Sequence, residues 1–259
     1  MSSCGMRRRS FLGCLLGSGS ACLSTARQNR TQHLILIGST GGLRKLDYFE
    51  NPSLATNIQG LAREAFVFAE DHSERVGSHA AACSELLQGR SIHSSTKTYP
   101  TLLDYLGGGI QLHSIDDIPM TLEQFRPRVI VCTEAGHDVG HDSYELYLRA
   151  VAATDAAIGR VFRWVKSQPY FSSRTAIVFR PIFGRDDDVN EHGQLHHSYG
   201  FYYTHRVASI FWGPDFNRGI DRKTIVNALD MTPTLTRLFG VNASHAEGRI
   251  LPGLFRASI

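Results

Sequence analysis

The sequence predicts an α/β domain whose mostly parallel sheet is covered by helices on both faces. Three observations carry that reading. Compact apolar runs of strand length recur at residues 33–39, 129–133, 175–179 and 208–212. Stretches with apolar residues three and four positions apart lie between several of them, so strands and helices alternate. Two of the strand-like runs lead into glycine and polar residues, and open parallel sheets hold their ligands at those carboxyl ends.

Taken in order, residues 1–26 read as a leader. Arg7-Arg8-Arg9 precedes Ser10-Phe11-Leu12, a short apolar run continues to Cys22, and Ser24-Thr25-Ala26 supplies small residues for cleavage. Arg8-Arg9-Ser10-Phe11-Leu12 resembles the twin-arginine form of an export signal. The apolar run is about 12 residues, short of the roughly 20 a membrane-spanning helix needs. The expectation is an exported protein of the periplasm or cell envelope, with no stable membrane span once the signal is removed and one folded domain over residues 31–256.

Of the 27 lysines and arginines, three lie in that leader, so 24 remain against 24 acidic residues. A neutral domain has no general attraction to nucleic acid, which is not expected as a partner. Cys83 and Cys132 are the cysteines beyond the leader; one disulfide is open to them and a disulfide framework is not.

The run at 33–39 is a buried strand that enters the Gly-Gly turn at Gly41-Gly42. Residues 57–66 have helical spacing through Ile58, Leu61, Ala62 and Ala65. Residues 78–87 form an alanine-rich helix capped near Ser78 and ended by Gly89-Arg90. A short helix at 101–106 stops at Gly107-Gly108-Gly109. The longest helix spans 143–166, with Leu148, Val151, Ile158, Phe162 and Val165 on its core stripe. Asp155 falls on the same stripe, and a buried acid needs a partner; a nearby backbone group is favoured over a place in a site. Residues 230–240 are a loop entering a helix, with Pro233 early in it and Gly240 at its end.

The candidate chemistry follows the strand at 129–133. Glu134 and His137 are three apart, as are Asp138 and His141. A carboxylate and an imidazole at that spacing can share one divalent ion, and both pairs remain open. His196-His197 is a further candidate pair downstream. Ser78 stands at a helix start, where free N–H groups and the helix dipole favour an incoming anion, and where a hydroxyl is also an ordinary cap.

The segments His33-Leu-Ile-Leu-Ile-Gly-Ser-Thr-Gly-Gly-Leu-Arg44 and Arg174-Thr-Ala-Ile-Val-Phe-Arg-Pro-Ile-Phe-Gly-Arg-Asp186 resemble the two metal-holding strand ends of the alkaline phosphatase/sulfatase superfamily. There, one strand runs into Asp-Gly-Leu-Arg and a later one into Asp-His-Gly-Arg or Glu-Phe-Gly-Arg. Softer marks are Leu61-Ala-Arg-Glu-Ala-Phe66, Asp155-Ala-Ala-Ile-Gly159, Ile210-Phe-Trp-Gly-Pro-Asp215, Leu229-Asp-Met-Thr-Pro-Thr-Leu235 and Glu247-Gly-Arg-Ile-Leu251. Their order covers nearly the whole chain beyond the leader.

The resemblance implies an α/β/α sandwich and a small, reduced member of the superfamily. It implies a metal-dependent hydrolase of small phosphate or sulfate esters. Asp138 and His141 would be metal ligands, with Glu134 and His137 as the second choice. His197 or His196 would complete the set, and Ser78, eleven residues before Gly89, would be the nucleophile. The ion would be zinc, calcium or manganese, at one site rather than two, because Gly41 and Ile182 stand where two carboxylates are expected. Those replacements predict weak or absent activity, and the competing expectation is a non-catalytic binding protein that keeps the fold.

Overall fold

The computed structural model describes residues 29–51, 53–92 and 98–256. The export-signal reading of residues 1–26 lies outside them. In chain order the strands are β1 (His33–Ser39), β2 (Phe66–His72), β3 (Ile110–Leu112), β4 (Val129–Glu134), β5 (Thr175–Phe179), β6 (Arg206–Trp212) and β7 (Gly219–Asn227). The helices are α1 (Thr56–Arg63), α2 (His79–Gln88), α3 (Leu102–Tyr105), α4 (Ile118–Phe125), α5 (Tyr144–Ser167), α6 (Tyr202–His205) and α7 (Met231–Arg237).

Every residue of β1 is buried, as a central strand covered on both faces requires. Its period-two alternation splits the core: Ile35 and Ile37 pack into one apolar cluster, Leu34 and Leu36 into the other. The first cluster takes residues of α1, α4 and α5, including Ile58, Leu122 and Ile158. The second takes residues of α2, α3 and α7, including Leu86, Leu102 and Leu235. The sandwich is therefore α/β/α. The sheet runs β3-β4-β1-β5-β6-β2-β7. β6 is antiparallel to both β5 and β2, and the remaining pairings are parallel.

The expected helix at 57–66 ends sooner, at Arg63, because Phe66 already begins β2. β3, α4 and β7 carried no clear sequence signal. β3 has only three residues, and β7 is a mostly exposed edge strand whose polar side chains blur the alternation. Asp155 is a structural acid: its carboxylate accepts the Ile58 N–H at 2.8 Å and the Asn57 side-chain amide at 2.7 Å, capping the start of α1. Cys83 and Cys132 are both free thiols. Among the described residues no helix is long and apolar enough to cross a membrane.

Candidate metal centre

The ends of β1, β4 and β5 and the start of α2 share the carboxyl rim of the sheet, because β6 alone runs against its neighbours. A 3₁₀ turn, Gly136–His141, follows β4 and carries Asp138 and His141. The loop after β5 brings in His196 and His197. Asp186 fixes that loop: its carboxylate accepts both the Ser198 N–H and the Ser198 hydroxyl at 2.7 Å. α2 contributes His79, its first residue.

These side chains converge. Asp138 Oδ1 lies 3.6 Å from His79 Nε2, 3.5 Å from His141 Nε2 and 3.7 Å from His197 Nε2. His79, Asp138 and His197 each offer a donor atom within 4.8 Å of the other two. His141 bridges the remaining imidazoles, with its Nε2 2.8 Å from His197 Nε2 and its Nδ1 2.6 Å from His196 Nδ1. His196 Nε2 is 3.2 Å from the Gln194 side-chain oxygen. One tautomer assignment satisfies this chain: each imidazole donates toward Gln194, and His197 Nδ1 is left a bare acceptor. That nitrogen is buried with no partner.

The imidazoles of the cluster are held in their neutral form. Burial, then the Arg185 guanidinium, then His141 and His79 push His197 down to about 4. Burial and Arg185 also lower His141. The short distances to Asp138 are thus contacts of neutral His141 and His197 at neutral pH, and a neutral imidazole is the form that binds metal. Two imidazoles and a carboxylate with a third imidazole beside them fit one divalent ion, zinc more readily than the oxygen-seeking calcium.

Glu134 and His137 stand outside this group. His137 is fully buried, its Nδ1 2.7 Å from the Ser39 hydroxyl and its Nε2 3.3 Å from the Thr154 hydroxyl, and burial pushes it down to about 4. Both nitrogens are already engaged within the fold. Glu134 is raised by burial and by Asp116, which places it toward the α4 side, and one of its carboxylate oxygens has no partner. Asp47 is held by Arg44 at 2.8 Å and by the Tyr147 hydroxyl at 2.9 Å, and so is not free to reach the cluster. Ser78 is exposed at the N-cap of α2, its hydroxyl accepting the Ala81 N–H at 3.3 Å. His79 was not singled out in the sequence, where it reads as an ordinary first-turn residue; only its position after a nucleophile candidate set it apart.

The two positions at which the resemblance expects carboxylates are a tight backbone turn and a core residue. Gly41 has φ +85°, and a Cβ there would meet the Asp138 nitrogen at 2.5 Å. Ile182 is 1% exposed and packs within the α2–α7 core.

No protein-family model and no curated protein sequence matches the chain. Solved structures do. A 2-O GAG sulfatase superposes with TM-score 0.65 at 12% identity, over 85% of this chain and 73% of that one. An alkaline phosphatase superfamily protein from Vibrio parahaemolyticus gives 0.63 at 15% identity, over 86% and 70%. A phosphonate monoester hydrolase from Silicibacter pomeroyi gives 0.62 at 11% identity, over 86% and 76%. The fold is that of the sulfatases and alkaline phosphatase superfamily, as the sequence resemblance implies.

Proposed function

We propose that the chain is a single-ion hydrolase of small phosphate or sulfate esters, a reduced member of the alkaline phosphatase/sulfatase superfamily acting in the periplasm or cell envelope. One observation carries this: a carboxylate and two imidazoles from three separate segments meet within 4.8 Å at the carboxyl rim of the sheet, beside the start of α2. His79, Asp138 and His197 would hold the ion, with His141 adjacent. When bound, it supplies a Lewis acid that offsets charge on the ester oxygens and lowers the pKa of a hydroxyl.

The chain's own residues supply the rest. Ser78 presents an exposed hydroxyl whose hydrogen bond uses an oxygen lone pair and leaves its proton free to depart. The uncapped N–H groups of the first turn of α2 and its dipole favour the anionic ester next to that hydroxyl. His141 contacts His196 through Nδ1 and lies beside His197, so it is the imidazole placed to take up a proton next to the ion. With one such donor group among the described residues, turnover is expected to be slow.

The test is an assay of the purified domain on nitrophenyl phosphate, a nitrophenyl diester and nitrophenyl sulfate, with zinc, manganese or calcium added. Zinc-dependent turnover that Ser78→Ala abolishes is expected. Zinc binding without turnover on any ester would replace this reading with that of a non-catalytic binding protein.

A further inference from the structure

Three arginines are buried around the site, and they are not alike. Arg180 is fully buried and pairs with Asp71, its Nη2 2.8 Å and its Nε 3.0 Å from the two carboxylate oxygens. Arg44 is buried and pairs in the same two-pronged way with Asp47, both contacts at 2.8 Å. Arg185 is also fully buried, yet the carboxylate within 4 Å of it is that of Asp138, at 3.8 Å, beyond hydrogen-bond distance. Its charge is met by carbonyls instead. Nε donates to Gly42 O at 3.0 Å, Nη2 donates to His137 O at 2.6 Å and also to Gly41 O, and Nη1 donates to Leu195 O.

A ring of backbone carbonyls closed by one carboxylate is what a hard cation takes as its ligands. Three segments build it: the turn after β1, the turn after β4 and the loop that ends in His196-His197. Each of the first two also carries a feature that fits no larger group. Gly41 is held at positive φ against the Asp138 backbone, and a Cβ on Gly140 would lie 2.7 Å from Arg185 Nη1. We propose that Arg185 is the protein's own second cation, a guanidinium lodged in an oxygen cage that would otherwise suit a metal ion, so that the neighbouring cluster needs only one ion from solution. Arg185 is a positioning residue. Four of its five N–H groups are bound to backbone carbonyls and the side chain is fully buried, so it acts by pinning together the three loops that present Asp138, His141 and His197. This deepens the single-ion reading and rests on the same site, but it is tested without activity.

The experiment counts ions and measures melting, with Mn²⁺ alone as the probe because it favours oxygen ligands. Arg185→Ala opens the cage, and it should bind one more Mn²⁺ per chain than the unaltered protein by electron paramagnetic resonance of free Mn²⁺, with millimolar guanidinium displacing that ion. Arg185→Met fills the cage without charge and should gain none. Arg185→Lys returns a positive charge, and it should melt about 5 °C or more above Arg185→Met, since a shift of that size corresponds to one or two hydrogen-bond equivalents in a domain of this length. A folded Arg185→Ala that takes up no additional ion would overturn the proposal. If that variant does not fold, Arg185→Met melting at or above Arg185→Lys overturns it on its own. Neither outcome bears on ester hydrolysis, and an enzyme found inactive would leave the cage result standing.

Discussion

Placing an acid at Gly41 should damage the site rather than improve it. The change to make is Gly41→Asp, which returns the carboxylate the superfamily resemblance calls for. The backbone at that position has φ +85°, and a left-handed conformation costs an L-residue about 1–2 kcal/mol. The new Cβ would sit 2.5 Å from the Asp138 nitrogen and 3.0 Å from the His137 carbonyl carbon. Both are backbone atoms with no rotamer to yield, and overpacking of that kind costs a further ~1–3 kcal/mol. The sum is roughly 2–5 kcal/mol, which in a domain of this size lowers the melting temperature by roughly 5–15 °C. The displaced atoms belong to the turn that carries Asp138, so zinc affinity should fall as well. Thermal unfolding by circular dichroism and zinc titration calorimetry measure the two effects. Gly41→Ala is the decisive companion. The penalty arises at Cβ, so alanine should show most of the same loss with no carboxylate at all. The reasoning fails if Gly41→Asp melts within about 2 °C of the unaltered protein and binds zinc more tightly.

Two further outcomes are expected. His79→Ala, Asp138→Ala and His197→Ala should each weaken zinc binding at least tenfold, about 1.4 kcal/mol, in calorimetric titration; His137→Ala should instead lower the melting temperature and leave a measurable zinc site, and equal zinc losses across all four would merge His137 into the donor set. Glu134→Gln should stabilise the protein at pH 7 by on the order of 1 kcal/mol, because it removes a charge from a carboxylate with an unpartnered oxygen. Burial and Asp116 raise the folded-state pKa of Glu134, so the folded form holds its proton where the unfolded form has released it. Its contribution to stability is complete below the unfolded value near 4.5 and is lost as pH rises through the folded one, so the advantage of glutamine should vanish near pH 4 in denaturant titrations. A difference that is the same at both pH values would contradict this.

The sheet was legible at β1, β4, β5 and β6, whereas β2, though it lies inside the sheet, was not, because its run ends in the charged Glu70-Asp71-His72. β1 and β5 are continuous apolar runs, and their ends in the structure match the runs read from sequence. β7 was hidden because an edge strand needs no apolar face on its open side, and Arg222 and Lys223 break the alternation there. The antiparallel direction of β6 was hidden for another reason: Ala208 to Trp212 is as apolar as a parallel strand, and direction is set by connection rather than by composition. At the site, Asp138, His141, His196 and His197 were visible as residue types in short loops after strands. The pairing of Glu134 with His137 looked equally good because three-residue spacing does not distinguish the two faces of a turn. His137 turns inward to Ser39 and Thr154, whereas Asp138 turns outward to the imidazoles.

His79 shows what spacing alone does not reveal. It reaches Asp138 across 59 residues of sequence, because α2 packs its Leu86 against Ile182 and Phe183 in one core and so sets its first turn beside the β4 loop. Ile182 thus has a physical part in the site through the seating of α2. A carboxylate there would sit among Leu34, Leu36 and Leu86 with no water and would need a cation to hold it. An isoleucine there lets the helix seat closely. The two acids that the resemblance calls for are absent in different ways, one replaced by a backbone turn and the other by core packing. Close to Gly41, the Arg185 guanidinium donates to its carbonyl, and the His79 imidazole faces Asp138 from the helix start. An apolar pattern can be shared while the polar residues differ, and the fold superposes on a 2-O GAG sulfatase at 12% identity while no family model matches.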